Sequence, residues 1–347
     1  MRYISQIVMI LGKKGMSRSL LLDRLLNWSR ANETDLLAYD ENMRGRITST
    51  RNNSAGMRYI DFAVGLGLVT QTTDLYRCTR YGWVAREIAL ERNLSLNAFI
   101  PSKAEKLLFL YLLIERDADV LLTIMQMIHT RRANRLAPLQ KGFKQHYLLR
   151  IQQKIQSVAD ERAQRLLLDR RREIERWGER GSPERYAEHI VPPRLHWLYD
   201  LGLIEIRRFR TNIFYLSEVG KSFYLGLPRL QNTNTADVSS DWIKGNLIET
   251  ACKALFQDTS FQLIRSNGSL ADIIKEYLRE AFKVFRTGSI PKVSLYPALL
   301  FLSLKLAATE GILANISDLE QWLSFHGPPN FEIRISAREN ESYIVQR

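Results

Sequence analysis

The feature that most restricts what this chain can fold into is a stretch that occurs twice. Leu203 to Phe223 reads LIEIRRFRTNIFYLSEVGKSF and follows a helix-like run from Pro193 to Gly202. Leu203, Ile204 and Ile206 read as a short strand, Arg207 to Asn212 as a basic turn, and Ile213 to Leu216 as the returning strand. Gly220 and Lys221 then open another helical run. The same order occurs earlier, where Met57 to Gly67 is followed by LVTQTTDLYRCTRYGWVAREI from Leu68 to Ile88. Setting Leu66-Gly67-Leu68-Val69 on Leu201-Gly202-Leu203-Ile204 brings Tyr81-Gly82 close to Val219-Gly220, with a few more residues in the second ribbon. This internal repeat predicts a mainly α chain with short β-hairpins, in which two like modules are joined by a helical connector.

At 347 residues, two or three domains are expected. The apolar and charged fractions, 45% and 25%, are those of ordinary globular proteins. The formal charge of +13 is not ordinary, and it draws such a chain toward polyanions, nucleic acid before membrane. Two cysteines, Cys78 and Cys252, build no disulfide framework. The longest apolar runs fall far short of the ~20 residues that cross a bilayer, and no targeting segment is evident at the first residues. The expectation is a cytoplasmic protein without a membrane partner.

Residues 1–95 form the first predicted module. Ile4 to Leu11 and a helix carrying Leu21, Leu22, Leu25 and Leu26 precede the repeat, and a third helix from near Ser54 buries Met57, Ile60, Ala63 and Val64 while leaving Arg58 and Asp61 outside. Residues 96–142 read as the connector: Ser102 caps a run whose apolar residues extend to Ile128 and are interrupted at Glu115-Arg116-Asp117. Residues 143–228 hold a long basic helix and the second module. Between Arg131 and Arg180, fourteen basic residues face six acidic ones, about +8 of the total, with Arg170, Arg171 and Arg172 consecutive. Pro192-Pro193 predicts a turn before the helix that carries Leu195, Leu198 and Leu201 inward and Arg194, His196, Trp197 and Asp200 outward. Residues 226–240 read as a polar linker, and 241–347 as a helical domain closed by a hairpin from Phe331 to Val345.

A helix, a Leu-Gly-Leu corner and a ribbon, met twice, resemble the winged-helix domains of the helix-turn-helix superfamily, over about half the chain; the C-terminal helices and hairpin hint at a third, degenerate copy. The resemblance implies that the third helix of a module enters the major groove and that the ribbon touches the adjacent backbone or minor groove, anchored mainly by phosphates. Carried over by position, Arg194, His196 and Trp197 face the groove and Arg207, Arg208 and Arg210 form the wing, with Asn212 and Lys221 beside it. Three arginines on a short ribbon match phosphate oxygens or a narrow minor groove; they equally suit a charged cap against strand pairing. Arg170, Arg171 and Arg172 add a basic helix that either touches phosphate or is a solvated face laced with ion pairs. The first copy carries no cation from Gln71 to Asp74, although Arg51 and Arg58 lie before and on its third helix.

Chemistry is poorly represented. Gly12-Lys13-Lys14-Gly15-Met16-Ser17 lacks the spacing of a phosphate-cradling loop and reads as a helix-helix turn, the five histidines are scattered, and Glu205 and Glu332 lack the lysine and upstream aspartate of a nuclease site. No enzyme activity, metal or cofactor is expected. The sequence therefore predicts a non-catalytic DNA-binding protein, a regulator or the target-engaging subunit of a genome-maintenance or defence assembly, with double-stranded DNA and proteins such as a helicase, nuclease or ATPase as partners. The alternative is an architectural subunit whose modules dock partner proteins.

Overall fold

The computed structural model describes residues 1, 3–40, 46–48, 55–91, 97–131, 134–177, 183–208, 212–231, 233–257, 260–264, 270–286, 290–328, 330–336, 338 and 341–346, with residues 183–185, 188 and 208 described in their backbone alone. The fold is mainly helical, with small, mostly antiparallel sheets. Two compact units divide the chain: residues 1–112, 244–252 and 258–347 form one, and residues 113–243 and 253–257 the other.

Two like successions of elements are followed by a third that shares their early strand, helices and hairpin. In the first, α1 (Ile4–Leu11), β1 (Met16–Ser17), α2 (Arg18–Ala31), α3 (Glu33–Tyr39) and α4 (Ala55–Gly65) lead into a hairpin of β2 (Val69–Thr72) and β3 (Leu75–Cys78), and α5 (Arg80–Leu90) follows. In the second, the end of α6 (Lys103–Arg131), β4 (Asn134–Arg135), α7 (Leu136–Ser157), α8 (Glu161–Glu175) and α9 (Pro183–Asp200) lead into β5 (Ile204–Arg208) and β6 (Asn212–Leu216), then α10 (Glu218–Gly226). After α11 (Ser240–Leu255) and β7 (Gln262–Leu263) comes the third: α12 (Leu270–Phe285), β8 (Lys292–Ser294), α13 (Leu295–Lys305) with a π-helical turn to Glu310, β9 (Ile312–Leu313), α14 (Ile316–His326), β10 (Phe331–Arg334) and β11 (Tyr343–Gln346). In every case a strand from early in the succession pairs antiparallel with the last strand of the hairpin, giving the orders β1-β3-β2, β4-β6-β5 and β8-β11-β10. β8, β9 and α14 are not predicted from the sequence.

The repeated corner has a common physical cause. Gly67 and Gly202 adopt φ of +70° and +78°, a conformation that costs an L side chain roughly 1–2 kcal/mol. Each closes its helix with a Schellman pair: Gly67 N–H reaches Val64 O and Leu68 N–H reaches Ala63 O, while Gly202 reaches Tyr199 and Leu203 reaches Leu198. Thr79 Oγ1 then donates to Gly67 O at 2.5 Å and accepts from Gly82 N at 3.1 Å; Ser217 Oγ does the same with Gly202 O and Gly220 N, at 2.6 and 2.9 Å. One hydroxyl thereby ties the helix end to the N-terminus of the next helix. That helix lies against the corner backbone, since a Cβ on Gly82 would stand 2.0 Å from Leu68 O, and one on Gly220 1.8 Å from Leu203 O. The third succession leaves α14 through Gly327 at φ −58° and lacks this corner.

Several expectations are corrected. Pro192 and Pro193 lie inside α9, which continues through them although each proline removes a backbone donor; buried Val191, Leu195 and Leu198 hold the helix in place. The long basic helix is two helices, broken at residues 158–160, and the predicted boundary between residues 142 and 143 falls within α7. Val64 is exposed and Asp200 is buried. Gly12 to Ser17 does link two helices as expected, α1 to α2 by way of β1, and Gly15 there lies against the Tyr76 backbone and the Arg77 side chain, leaving no room for a Cβ. The stretch read as a polar linker packs in its unit: Thr235 and Ala236 are buried, and Asp237 pairs with Lys154 at 3.0 Å. Ser102 caps α6 as predicted, exchanging backbone bonds with Glu105. Cys78 and Cys252 are free thiols, each pushed up to about 12 by burial.

Candidate nucleic-acid interface

The second unit holds most of the residues picked out as a DNA surface, and the basic ones among them differ in how far their charge is committed. Register places Arg207 opposite Ile213 and Glu205 opposite Tyr215, so Tyr215 lies diagonally across the ribbon from Arg207. The Arg207 guanidinium rests over that ring, 4.8 Å from its centroid, and is exposed. Stacking of this kind restrains a long side chain while leaving its N–H groups for a ligand. No carboxylate among the described residues reaches Arg207. Asn212, half-buried, pairs with Arg208 across the strands. The Arg208 side chain, all of Arg210, and Arg51 in the first copy lie outside the described residues.

Arg194 is engaged within its own unit. Its Nε donates to Asp117 Oδ2 at 2.7 Å, one terminal nitrogen donates to Ile190 O at 3.1 Å, and its guanidinium sits 5.0 Å from the Trp197 ring. The side chain is only 20% exposed. Asp117 is the non-helical residue at which α6 kinks; burial pushes its carboxyl up, against the pull of Arg194. His196 and Trp197 are half-buried on the same stretch of α9, and both make further contacts.

Part of the basic segment is paired where it lies. Arg170 pairs with Glu173 at 2.5 Å and reaches the Tyr147 hydroxyl at 3.2 Å, Arg171 pairs with Glu175 at 2.8 Å and binds Gln152, and Arg172 meets Asp169 at 3.3 Å. Lys221 pairs with Glu218 at 2.5 Å. These are exposed pairs along single helices, worth roughly 0–1 kcal/mol each and readily exchanged for phosphate. Arg150 and Lys154 are a different matter. Arg150 is 1% exposed; its Nε binds Asp119 at 3.0 Å, it also donates to Ala236 O, and Lys154 bridges Asp119 at 2.9 Å and Asp237 at 3.0 Å. Burial alone would raise the Asp119 carboxyl, but Lys154 and Arg150 reverse that and hold it below its usual range.

In the first unit, Arg58 is exposed on α4. The tip of its ribbon carries Thr73, whose φ of +56° turns the chain between β2 and β3, and Asp74, with Gln71 bonded to Thr73 O at 3.0 Å. Glu205 is exposed on β5, and Glu332 on β10 pairs with Arg334 at 3.4 Å.

Sequence reasoning missed Asp117, Asp119 and Asp237, the acids that fix the arginine and lysine charges from outside the basic segment. Their signal is three-dimensional, since Asp237 lies more than eighty residues from its partners. Tyr215 was within reach of the sequence, because a two-residue offset in a hairpin places an aromatic ring diagonal to Arg207. No helix among the described residues is long and apolar enough to cross a membrane. No protein-family model matches the chain, and neither does a curated protein or a solved structure.

Proposed function

We propose that the three successions are winged-helix modules and that the second binds duplex DNA, with the β5–β6 ribbon as its wing against the phosphate backbone. The observation that carries this reading is Arg207: an exposed guanidinium, restrained on Tyr215, with Arg208 and Arg210 following it in the sequence. The order early strand, helices, hairpin, with the early strand against the last, supports the module assignment. The net charge of +13 supports a polyanionic partner. In this reading Arg194 braces α9 through Asp117, while the α8 arginines supply charge that exposed pairs give up at little cost. The role is non-catalytic, that of a regulator or of a target-engaging subunit in a genome-maintenance or defence assembly.

Fluorescence anisotropy with a labelled duplex at low salt tests the reading. Wild type should bind in the micromolar range or tighter, as non-specific phosphate contact allows, and Arg207→Ala should weaken binding roughly uniformly across sequences. A duplex that fails to bind at low salt, or that binds Arg207→Ala as it binds wild type, overturns it.

The first copy favours a second role within the same chain. Its ribbon tip offers Gln71, Thr73 and Asp74 in place of arginines, and α5 packs on the third succession in the first unit, where Lys305 bridges Glu91 and Glu280. This copy suits protein contact better than DNA contact. We assign it to a docking role, with a helicase, nuclease or ATPase as the class of partner that a target-engaging subunit serves.

A further inference from the structure

A row of aromatic rings in the second unit ends at the surface. Phe143 and Tyr147 on α7 are buried, with ring centroids 5.5 Å apart. Trp177, just beyond α8, lies 6.4 Å from Phe143 at 15° and is itself buried. Tyr186, in the first turn of α9, lies 5.8 Å from Trp177 with the planes 4° apart, and is 42% exposed. Lys144 fixes the base of the row by donating to Glu175 O and Trp177 O at 2.9 and 2.6 Å. The first three rings are core packing. Tyr186 is not accounted for in that way, because a ring held nearly parallel to a buried indole keeps much of its own surface in water.

The space beside it is a cleft of about 480 Å³, lined by Asp169, Arg172, Glu173, Arg176, Trp177 and Tyr186. That volume lies within the range of small-ligand sites, roughly 300–1,000 Å³. Its carboxylates are matched: Asp169 pairs with Arg172, and Glu173 with Arg170. Arg176 is exposed, and no carboxylate among the described residues pairs with it. The cleft therefore combines a flat ring with a cation that no carboxylate among the described residues pairs with.

We propose that this cleft binds an unpaired nucleobase and its phosphate, so that the second unit also holds single-stranded nucleic acid. The base stacks on Tyr186, with Trp177 behind it, and Arg176 takes the phosphate. Stacking needs no sequence preference, and a ring already held in place loses less freedom on binding. Eight residues separate Tyr186 from Arg194, about 12 Å along α9, so the proposed platform lies on the helix that Arg194 braces through Asp117.

The probe is a fluorescein-labelled single strand of about fifteen nucleotides, as DNA in one arm and as RNA of the same sequence in the other, titrated with the full chain at low salt. Tyr186→Ala should weaken binding by roughly 5- to 150-fold, the range of one base–aromatic stack, and Tyr186→Phe should stay within about threefold of wild type, since the ring carries the contact. Stronger binding in one arm identifies which nucleic acid the cleft serves. Arg207→Ala should leave single-strand binding within about twofold, since that residue belongs to the proposed duplex surface. The inference is overturned if neither strand binds, if Tyr186→Ala binds like wild type, or if Tyr186→Phe loses as much as Tyr186→Ala. Duplex binding that fails while Tyr186-dependent single-strand binding persists would remove the wing assignment and leave this one standing.

Discussion

The ribbons at residues 69–78 and 204–216 leave their helices through the same bonds, down to the hydroxyl that joins corner carbonyl and following helix, yet they end in different chemistry. The first turns over in Thr73 and Asp74; the second is longer and carries Arg207 backed by Tyr215. What the two share is backbone geometry, which a hydroxyl and two glycines specify. What differs lies on exposed side chains of the ribbons. A repeated scaffold can thus hold tips of opposite charge, and function has to be sought where the copies diverge.

The largest effects should come from breaking what the copies share. Gly82→Ala and Gly220→Ala each push a Cβ to about 2 Å from a backbone carbonyl, and each should cost upwards of about 4 kcal/mol, read as a fall in urea midpoint or as loss of soluble protein. Gly202→Ala, with open space around its Cβ, should cost only the positive-φ term, about 1–2 kcal/mol. Equal losses at positions 202 and 220 would show that the close approach is not what demands glycine at 220.

Next comes the buried ion network of the second unit. Asp119→Ala leaves Arg150 and Lys154 with Asp237 as their only carboxylate among the described residues and should cost about 1–3 kcal/mol. The sign with pH follows from the depressed Asp119 carboxyl: its contribution is present above the unfolded value of about 3.9 and disappears as pH falls through the lower folded value. Acid unfolding of wild type should therefore steepen below about pH 4, and that portion of the slope should vanish in Asp119→Ala. An unchanged acid limb contradicts the assignment. Arg194→Ala, which strips the half-buried Asp117 of its partner, should cost about 1–3 kcal/mol in stability while leaving the salt dependence of duplex binding nearly unchanged. A drop of one unit in that dependence would instead place Arg194 on phosphate.

Much of the scaffold was legible from residues alone. The alignment of Gly67 with Gly202, and the nearby match of Gly82 with Gly220, anticipated both corners because a Leu-Gly-Leu helix end and a three-four apolar pattern are local signals. The terminal hairpin was legible for the same reason. The helix through Pro192-Pro193 was not, because burial of Val191, Leu195 and Leu198 overrides the local cost of proline. Nor was the fate of the basic segment, where Arg150 is a core residue and Asp119 and Asp237 arrive from elsewhere. Charge along a sequence shows how much charge there is; only the fold shows how much of it faces water. Tyr186 escaped notice because an exposed ring and a buried one look alike in sequence.

The smallest effects bear most directly on the ribbons. Duplex affinity measured against salt for wild type, Arg207→Ala and Asp74→Ala should give a log–log slope about 0.9 shallower for Arg207→Ala, the loss of one phosphate contact, with Asp74→Ala within about twofold of wild type at every salt concentration, since only the second ribbon meets DNA. Equal slopes for wild type and Arg207→Ala, or a shift at Asp74 as large as that at Arg207, would contradict the account.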